Sequence, residues 1–136
     1  MTTLTGGCLC GGVRFRIDGP IQGETAHCHC TMCRRASGAP VVTWFTVRQA
    51  DYTVTEGAPR IYRSSAWAER TFCPTCGAQL TFRTDEAPGL VDVTVATLDD
   101  PENHPATQHI WTASRLPWLH LDEHLPEKTG EGQSPA

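Results

Sequence analysis

Cysteine spacing restricts the fold of this chain more than any other feature of its sequence. Seven cysteines fall into three short groups, and an odd number excludes complete disulfide pairing. Free thiols oxidise and buried polar groups need partners, so such groups are costly to leave unpaired. In a reducing compartment, clustered thiols are more typical of metal sites or redox centres than of structural disulfides. The groups are Cys8 and Cys10, then Cys28, Cys30 and Cys33, and finally Cys73 and Cys76.

The third group has the most specific spacing. In "FCPTCGA" two thiolates lie on one tight turn, which Pro74 stiffens and which Gly77 can complete with a positive φ. Strand-like segments at 69–72 and 78–82 precede and follow the turn, as a metal-binding hairpin requires. A redox Cys-x-x-Cys at a helix N-terminus is the alternative, but no helical pattern follows Cys76. We therefore predict that this group binds a metal.

The first group, "GGCLCGG", can complete the same site. On a strand, Cys8 and Cys10 would face the same side, roughly 6.6 Å apart along the chain. The flanking glycines would let the backbone turn closely around an ion. Together with Cys73 and Cys76 they predict a closed set of four thiolates, which is typical of structural zinc. The alternative is that Cys8 and Cys10 are free thiols near the surface.

The middle group, "HCHCTMC", has three cysteines and lacks a fourth. Cys28, Cys30 and Cys33 can surround one ion on a single turn. Three protein ligands plus one open position are typical of catalytic zinc. A closed site, in which His27 or His29 supplies the fourth ligand, is the alternative that the spacing leaves.

An open site with three thiolates favours one kind of chemistry. Zinc bound by three thiolates is a weak electrophile toward water, but it suits a fourth soft ligand such as a substrate thiolate. We therefore expect formation or cleavage of a carbon–sulfur bond at a small carbonyl carbon. Arg34 and Arg35 follow the group directly and could bind the carboxylates of a peptide-like thiol. Alternatively, they form a solvated pair on the surface.

The remaining sequence alternates as β-structure does. In "VRFRI" the apolar residues Val13, Phe15 and Ile17 face one way and the arginines face the other. We predict a mainly antiparallel β domain of small sheets, with short helical turns at 31–36 and 114–119. Gly and Pro residues separate the further predicted strands, which lie at 41–47, 60–63, 70–72, 79–83, 90–97 and 108–112.

Length and composition limit the classes of protein to consider. The 136 residues suit one domain, which we predict over 1–126, followed by a flexible polar tail at 127–136. Hydrophobic residues make up 39% of the chain, which is enough for a core. A net charge of −4 argues against nucleic acid as a partner, and no apolar run is long enough to span a membrane. The first residues, "MTTLTGG", lack the features of a secretory signal, which predicts a cytoplasmic protein.

Four motifs identify a family. "GGCLCGGVRF", "HCHCTMCRRASGAP", "FCPTCGAQL" and "HIWTASRLPWLHLDEHLP" resemble, in the same order, the glutathione-dependent formaldehyde-activating enzyme family, which includes centromere protein V. The resemblance covers about residues 4–126. It implies a β-tent fold and the condensation of glutathione with formaldehyde to S-(hydroxymethyl)glutathione. This activity is classed as a carbon–sulfur lyase, because the reverse reaction splits that bond.

The resemblance also implies two zinc ions. The second is the less firmly held, so its occupancy here is open. By motif match, the structural ion belongs to Cys8, Cys10, Cys73 and Cys76, and the catalytic ion to Cys28, Cys30 and Cys33.

A few other residues and one rival function are considered as well. His109 is a candidate proton shuttle for the hemithioacetal oxygen, the alternative being a strand histidine bonded to the backbone. The four tryptophans are expected to fill the core, with Trp118 as a candidate pocket wall. The rival to a lyase is a non-catalytic scaffold, stabilised by zinc, that binds a thiol or a protein.

Overall fold

Two β-sheets form the framework of the protein, as a computed structural model of residues 3–130 shows. The predicted mainly β fold is confirmed, although the larger sheet has seven strands and is not small. In chain order the strands are β1 (Thr3–Gly7), β2 (Arg14–Asp18), β3 (Gln22–Cys28), β4 (Val42–Arg48), β5 (Tyr52–Glu56), β6 (Arg60–Tyr62), β7 (Ala68–Phe72), β8 (Gln79–Thr84), β9 (Leu90–Thr94) and β10 (Gln108–Ile110).

The smaller sheet has three strands in the order β1–β2–β5, all antiparallel. Phe15 and Ile17 of β2 are fully buried, whereas Arg16 between them is exposed, as the alternation predicts. Phe15 stacks on Tyr52 of β5, with 5.3 Å between the ring centroids. This apolar face packs toward the larger sheet.

The larger sheet has the order β10–β3–β4–β9–β8–β7–β6. Every pair in it is antiparallel except β10 and β3, which run parallel. The pairing is therefore mainly antiparallel, as predicted, with one parallel pair at this edge. Parallel neighbours need a long connection, and here residues 29–107, which include strands β4 to β9, lie between the two. Two 3₁₀ turns, Val95–Thr97 and Pro101–Asn103, come between β9 and β10.

The helix α1 (Thr31–Ser37) confirms the helical turn predicted at 31–36. Cys30 is its N-cap, and the Cys30 sulfur accepts a hydrogen bond from the backbone N–H of Cys33 at 3.2 Å. Gly38 ends the helix with φ 74°, and its N–H bonds to the Arg34 carbonyl. The helix therefore begins inside the middle cysteine group.

Two local predictions are wrong. A 3₁₀ turn at Thr112–Ser114 replaces the helical turn expected at 114–119, because Arg115 is already extended with ψ 136° and Pro117 disfavours helical backbone before it. The strand expected over 90–97 ends at Thr94, where the chain enters a 3₁₀ turn.

The two faces of the larger sheet bury different sets of side chains. Phe45 and Val47 of β4 face the smaller sheet and join a core with Cys8 and Cys73. Trp44, on the opposite face, belongs to a second apolar group. That group contains Ala26, Cys28, Cys30, Cys33, Val42, Trp44, Ala68, Phe82 and Ile110. The middle cysteine group thus lies on the face that the smaller sheet does not cover.

The tryptophans do not all fill the core. Trp44 is buried and Trp111 packs against the second apolar group, but Trp67 and Trp118 are 44% and 65% exposed. The expectation that all four fill the core is therefore wrong.

The chain after β10 packs back against that strand. The N–H of Lys128 donates to the His109 carbonyl, and the N–H of Trp111 donates to the Gly130 carbonyl, each at 2.9 Å. These contacts include residues 127–130 of the predicted tail, whereas 131–136 lie outside the described residues. Within 3–130, no helix is long and apolar enough to cross a membrane.

Candidate metal centres

The first cluster, defined as Cys8, Cys10, Cys73 and Cys76, brings two distant groups together. Its four sulfur atoms all lie within 4.8 Å of one another. Cys8 and Cys10 come from the connection between β1 and β2, and Cys73 and Cys76 from the connection between β7 and β8. The strand expected at the first group is wrong, because β1 ends at Gly7 and both cysteines lie in the following turn.

Backbone N–H groups point at the sulfurs of the first cluster. Val13 donates to the Cys8 sulfur at 3.2 Å, and Gly12 donates to the Cys10 sulfur at 3.4 Å. In the other turn, the N–H of Cys76 donates to the Cys73 sulfur at 3.4 Å. Gly77 takes φ 80°, as the sequence predicts, and its N–H donates to the Cys73 carbonyl. Such donors stabilise negative charge on sulfur, which a thiolate metal site needs.

The thiols of the first cluster differ in how readily they ionise. Burial opposes ionisation of Cys8, but hydrogen bonds from the Val13 N–H and the neighbouring thiols prevail and lower its pKa to about 6. The Gly12 N–H favours the Cys10 thiolate, yet hydrogen bonding with Cys8 and Cys73 raises the pKa of Cys10 to about 11. Without a metal, the cluster therefore keeps protons that a bound ion must displace.

The second cluster, defined as Cys28, Cys30 and Cys33, comes from one short stretch. Cys28 ends β3, Cys30 caps α1 and Cys33 lies in the first turn of that helix. Their sulfur atoms lie within 4.8 Å of one another, and all three residues are buried. Within residues 3–130, no fourth histidine, cysteine or carboxylate joins this group.

His27 and His29 form hydrogen bonds with groups outside the second cluster. His27 bonds through Nδ1 to the Thr43 hydroxyl and through Nε2 to the Asp122 carboxylate, each at 2.8 Å. His29 bonds through Nε2 to Nδ1 of His109 at 2.8 Å. Neither side chain belongs to the sulfur group, so the second cluster has three ligand atoms in this structure.

His109 is a strand histidine bonded to the backbone, as one of the two sequence alternatives predicts, but its contact with His29 in a buried chain of histidines was missed. His109 lies in register with His27 across the parallel pair of strands, and its Nε2 donates to the Asp122 carbonyl at 2.9 Å. In a neutral His109 ring only one nitrogen carries a proton, and that is Nε2, so Nδ1 must accept a hydrogen bond. The partner, His29 Nε2, is therefore the donor. In a neutral His29 ring, Nδ1 then carries the lone pair. Burial, then the charge of Arg115, lowers the pKa of His29 to about 4. His29 Nδ1 has no hydrogen-bond partner among the described residues.

A buried cation, Arg70 of β7, faces the second cluster and was also missed. Its Nη2 lies 3.7 Å from the Cys33 sulfur, and its Nη1 donates to Oε1 of Gln79 at 2.8 Å. The guanidinium carbon lies 5.0 Å from the centroid of the Phe82 ring. The available signal was the alternation of β7, which puts Arg70 on the same face as the buried Ala68.

The second cluster holds its negative charge mainly on one sulfur. Hydrogen bonds from the Cys28 and Cys33 thiols, followed by the Cys33 N–H and the charge of Arg70, lower the pKa of Cys30 to about 3 despite burial. Hydrogen bonding with Cys30 and Cys33 raises the pKa of Cys28 above its usual range. The surroundings therefore already favour a thiolate at the N-terminus of α1.

A cavity of about 510 Å³ lies beside α1. Arg35 and Met32 of the helix line one side, and Tyr62, Arg70 and Gln79 of the sheet line the other. Of the two predicted arginines, only Arg35 lines this cavity. The Nη2 of the other, Arg34, bonds instead to the Thr31 hydroxyl at 3.4 Å.

A second cavity, of about 390 Å³, lies over the exposed face of the larger sheet. Trp44 and Phe82 line it, and both belong to the apolar group around the second cluster. Its charged lining is mixed, with Glu24 and Asp92 as well as Arg83 and Lys128.

Fold and site together define a mainly β protein with two cysteine clusters that could hold metal ions. The chain belongs to the glutathione-dependent formaldehyde-activating enzyme family, whose sequence pattern matches residues 3–114. This confirms the family that the four motifs indicate.

Two curated relatives are similar to this chain in sequence, and one solved structure is similar to it in fold. A protein of Halomonas elongata named "Putative glutathione-dependent formaldehyde-activating enzyme" is 27% identical over 137 residues, covering 95% of this chain and 87% of that protein. An uncharacterized lyase of Schizosaccharomyces pombe is 31% identical over 84 residues, or 60% of this chain and 58% of its own length. The crystal structure of a Rhodobacter sphaeroides protein covers 90% of this chain and 98% of that chain, at 24% identity and a TM-score of 0.59. This last likeness shows the fold alone.

Proposed function

We propose that this protein is a zinc-dependent carbon–sulfur lyase that acts on a glutathione-type thiol adduct of a small aldehyde, such as S-(hydroxymethyl)glutathione. The observation that carries the proposal is the second cluster, in which three thiols converge beside a cavity lined by arginine. Membership of the family and the names of the two relatives support this class of reaction.

The donor atoms of the first cluster fit a structural zinc ion. Four sulfurs within 4.8 Å of one another form a closed set, and backbone N–H groups stabilise their charge. We propose that the two sheets adopt a β-tent arrangement around this ion. The cluster connects a turn of the smaller sheet with a turn of the larger one, so the ion would join the two layers.

The second cluster fits a zinc ion with one position left for substrate. Cys28, Cys30 and Cys33 would hold the ion. A free thiol could displace this ion, so the site would be only partly occupied. When bound, zinc lowers the pKa of a thiol ligand and so supplies a thiolate near neutral pH. Arg35 would bind a carboxylate of the substrate at the cavity.

The proposed reaction balances without a further reactant. In the direction of synthesis, the thiol sulfur bonds to the aldehyde carbon and the carbonyl π bond breaks. The proton of the thiol ends on the former carbonyl oxygen, which becomes the hydroxyl group. The reverse reaction breaks the carbon–sulfur bond and returns both partners. We place the protein in the reducing cytoplasm, where such thiols stay reduced.

The test combines turnover with metal content. We expect the protein to form S-(hydroxymethyl)glutathione faster than glutathione and formaldehyde combine unaided, measured by NMR. Cys33→Ser should retain the circular dichroism spectrum of the wild type, lose one zinc ion per chain and return to the spontaneous rate. Normal turnover by a folded Cys33→Ser variant would contradict the proposal.

One observation favours the rival scaffold function. All three thiols of the second cluster are at least 95% buried, and the unpartnered Nδ1 of His29 lies in the loop between Cys28 and Cys30. A movement of the His29 ring that brought this nitrogen to the ion would close the site. His29→Ala should then release a zinc ion, whereas the lyase proposal expects the zinc content to stay unchanged.

A further inference from the structure

Lys128 is the only lysine in the chain. The ten other side chains that carry a full positive charge at pH 7 are all arginines. A lysine amine can lose its proton and attack a carbonyl carbon, whereas an arginine guanidinium stays protonated. The chain therefore presents a single side-chain amine that can react with an aldehyde. Its place in the fold decides where such a reaction could occur.

The backbone of Lys128 is fixed against β10. Its N–H donates to the His109 carbonyl at 2.9 Å. Its carbonyl accepts hydrogen bonds from the N–H and from the hydroxyl of Thr112, each at 3.1 Å. Lys128 is exposed and lines the cavity of about 390 Å³ over the exposed face of the larger sheet. The fixed backbone therefore keeps the lysine side chain beside this cavity.

This cavity adjoins the second cluster. Ala26 and Ile110 line it, and both belong to the apolar group that contains the three cysteines. Ala26 and Cys28 are two residues apart on β3, so their side chains lie on the same face of the sheet, roughly 6.6 Å apart along the strand. Ile110 is the direct neighbour of Cys28 in the parallel pair of β10 and β3. The nearest neighbours of Cys28 on the sheet thus form part of the cavity wall.

The lining of the cavity suits a small carbonyl compound held by an amine. Trp44 and Phe82 provide an apolar surface, with 6.3 Å between their ring centroids. Glu24 lies in the same lining and can accept the proton that the Lys128 amine must lose as it attacks. The Thr107 hydroxyl donates to Oε1 of Glu24 at 2.8 Å and so helps to hold this carboxylate in place. A volume of about 390 Å³ is in the range of sites for small organic ligands.

We infer that Lys128 is a reversible aldehyde-binding site, which holds a small aldehyde such as formaldehyde as a covalent adduct in this cavity. The Nζ lone pair bonds to the carbonyl carbon, the carbonyl π bond breaks, and one proton moves from nitrogen to oxygen, which gives a carbinolamine. Loss of water from the carbinolamine gives an imine. Hydrolysis reverses both steps and releases the aldehyde beside the second cluster. The inference rests on the proposed function, because it assumes that an aldehyde is a substrate.

Reductive trapping tests whether the adduct forms at Lys128. Sodium cyanoborohydride donates a hydride to the imine of formaldehyde and converts it into a stable N-methyl amine. The full chain is incubated at pH 7 with isotope-labelled formaldehyde and this reductant, and peptide mass spectrometry follows the methylated fraction over time. Arg16→Lys adds a matched reference in the same molecule, because it puts an ordinary amine on the exposed surface of β2. We expect Lys128 to be methylated about tenfold faster than the reference amine, a modest effect for a positioned acid–base group.

Two variants assign the effect to the cavity and to the amine. Glu24→Gln keeps the size of the side chain but removes the carboxylate, and should reduce the rate at Lys128 to that of the reference amine. Lys128→Arg keeps the positive charge but removes the amine. It should lower kcat/KM for formaldehyde about tenfold and leave the KM for glutathione unchanged. Zinc content and circular dichroism check that each variant is folded.

The outcomes distinguish the inference from the proposed function. If Lys128 and the reference amine are methylated at equal rates, or if Lys128→Arg turns over formaldehyde as the wild type does, the inference is wrong while the lyase proposal stands. A rate at Lys128 that Glu24→Gln leaves unchanged also contradicts the inference. If trapping at Lys128 is fast but the wild type does not exceed the spontaneous rate, the lyase proposal is wrong and the aldehyde-binding site stands.

Discussion

The two cysteine clusters differ in what they connect. The first cluster joins the turn between β1 and β2 to the turn between β7 and β8, so an ion there would tie the smaller sheet to the larger one. The second cluster comes entirely from residues 28–33, and an ion there would constrain only one strand end and one helical turn. Closing a long loop removes more freedom from the unfolded chain than closing a short one, although the difference grows only with the logarithm of loop length.

The clusters also differ in their surroundings. Backbone N–H groups donate to all four sulfurs of the first cluster, and Cys10 and Cys76 are partly open to water. The second cluster is buried, receives one such N–H at Cys30, and lies beside Arg70 and a cavity. We infer that fixed backbone dipoles suit a permanent ion. A side-chain cation near a cavity suits a charge that changes as ligand enters and leaves.

Removing one thiol from the first cluster should destabilise the fold far more than removing one from the second, and this is the largest effect that we expect. Binding of a structural zinc ion contributes about 10 kcal/mol or more, which is comparable to the whole stability of a domain. We therefore expect Cys73→Ser to lose its cooperative thermal transition in circular dichroism, whereas Cys33→Ser keeps one. Thr75→Ser, in the same turn as Cys73, is the control and should melt like the wild type. A Cys73→Ser variant that also melts like the wild type would remove the distinction between the clusters.

Dialysis against glutathione should expose the same difference without a mutation. Elemental analysis of protein purified without chelator should give two zinc ions per chain before dialysis and one after it. An ion held by three thiols would keep one open position and could exchange a ligand there, whereas an ion held by four thiols would have none. Two ions retained after dialysis would indicate that both sites are closed, which favours the scaffold function.

Local chemistry explains which parts of this molecule could be predicted. The turn at 73–77 follows from its own residues, and Gly77 takes φ 80° as expected. The helix over 31–37 and the grouping of the cysteines likewise follow from spacing. These features depend on neighbours in the sequence, or on the small number of ways in which thiols can share an ion.

Long-range packing explains what could not be predicted. Strand β3, with the sequence "QGETAHC", is too polar to indicate a strand, and its second half is buried only because β4 and β10 lie on either side. The parallel register that puts His109 beside His27 has no local signal. The alternation of β7 indicates the buried face for Arg70, but its contact with Cys33 of α1 is long-range and has no local signal.

The two neighbouring arginines of α1 should differ in their effect on substrate binding. Arg35 lines the cavity, whereas Arg34 bonds to Thr31. We expect Arg35→Gln to raise the KM for S-(hydroxymethyl)glutathione about tenfold with little change in kcat. Arg34→Gln should change the KM less than about twofold. Equal effects of the two variants would mean that both arginines bind the substrate.

The smallest expected effect concerns a second link between the sheets. Arg14 of β2 forms a bidentate ion pair with Asp99, at 2.6 and 3.0 Å, and the Thr5 hydroxyl donates to the same carboxylate at 2.7 Å. The side chains of Arg14 and Asp99 are 33% and 47% exposed, so we expect Asp99→Asn to reduce the free energy of unfolding by no more than about 1 kcal/mol. Urea unfolding at pH 7 measures this difference.

The pH dependence of this difference separates the ion pair from the metal clusters. Arg14, then Thr5, lowers the pKa of Asp99 from 3.8 to about 2, so the pair contributes fully above pH 4 and is lost only as the pH falls toward 2. The difference in the free energy of unfolding between the wild type and Asp99→Asn should therefore stay constant from pH 8 to pH 5. Thiolate ligands take up protons as the pH falls, so the stability of both proteins should decline together over the same range. If this difference in the free energy of unfolding changed between pH 8 and pH 5, the ion pair and the first cluster would be energetically coupled. The two links between the sheets would then act as one unit.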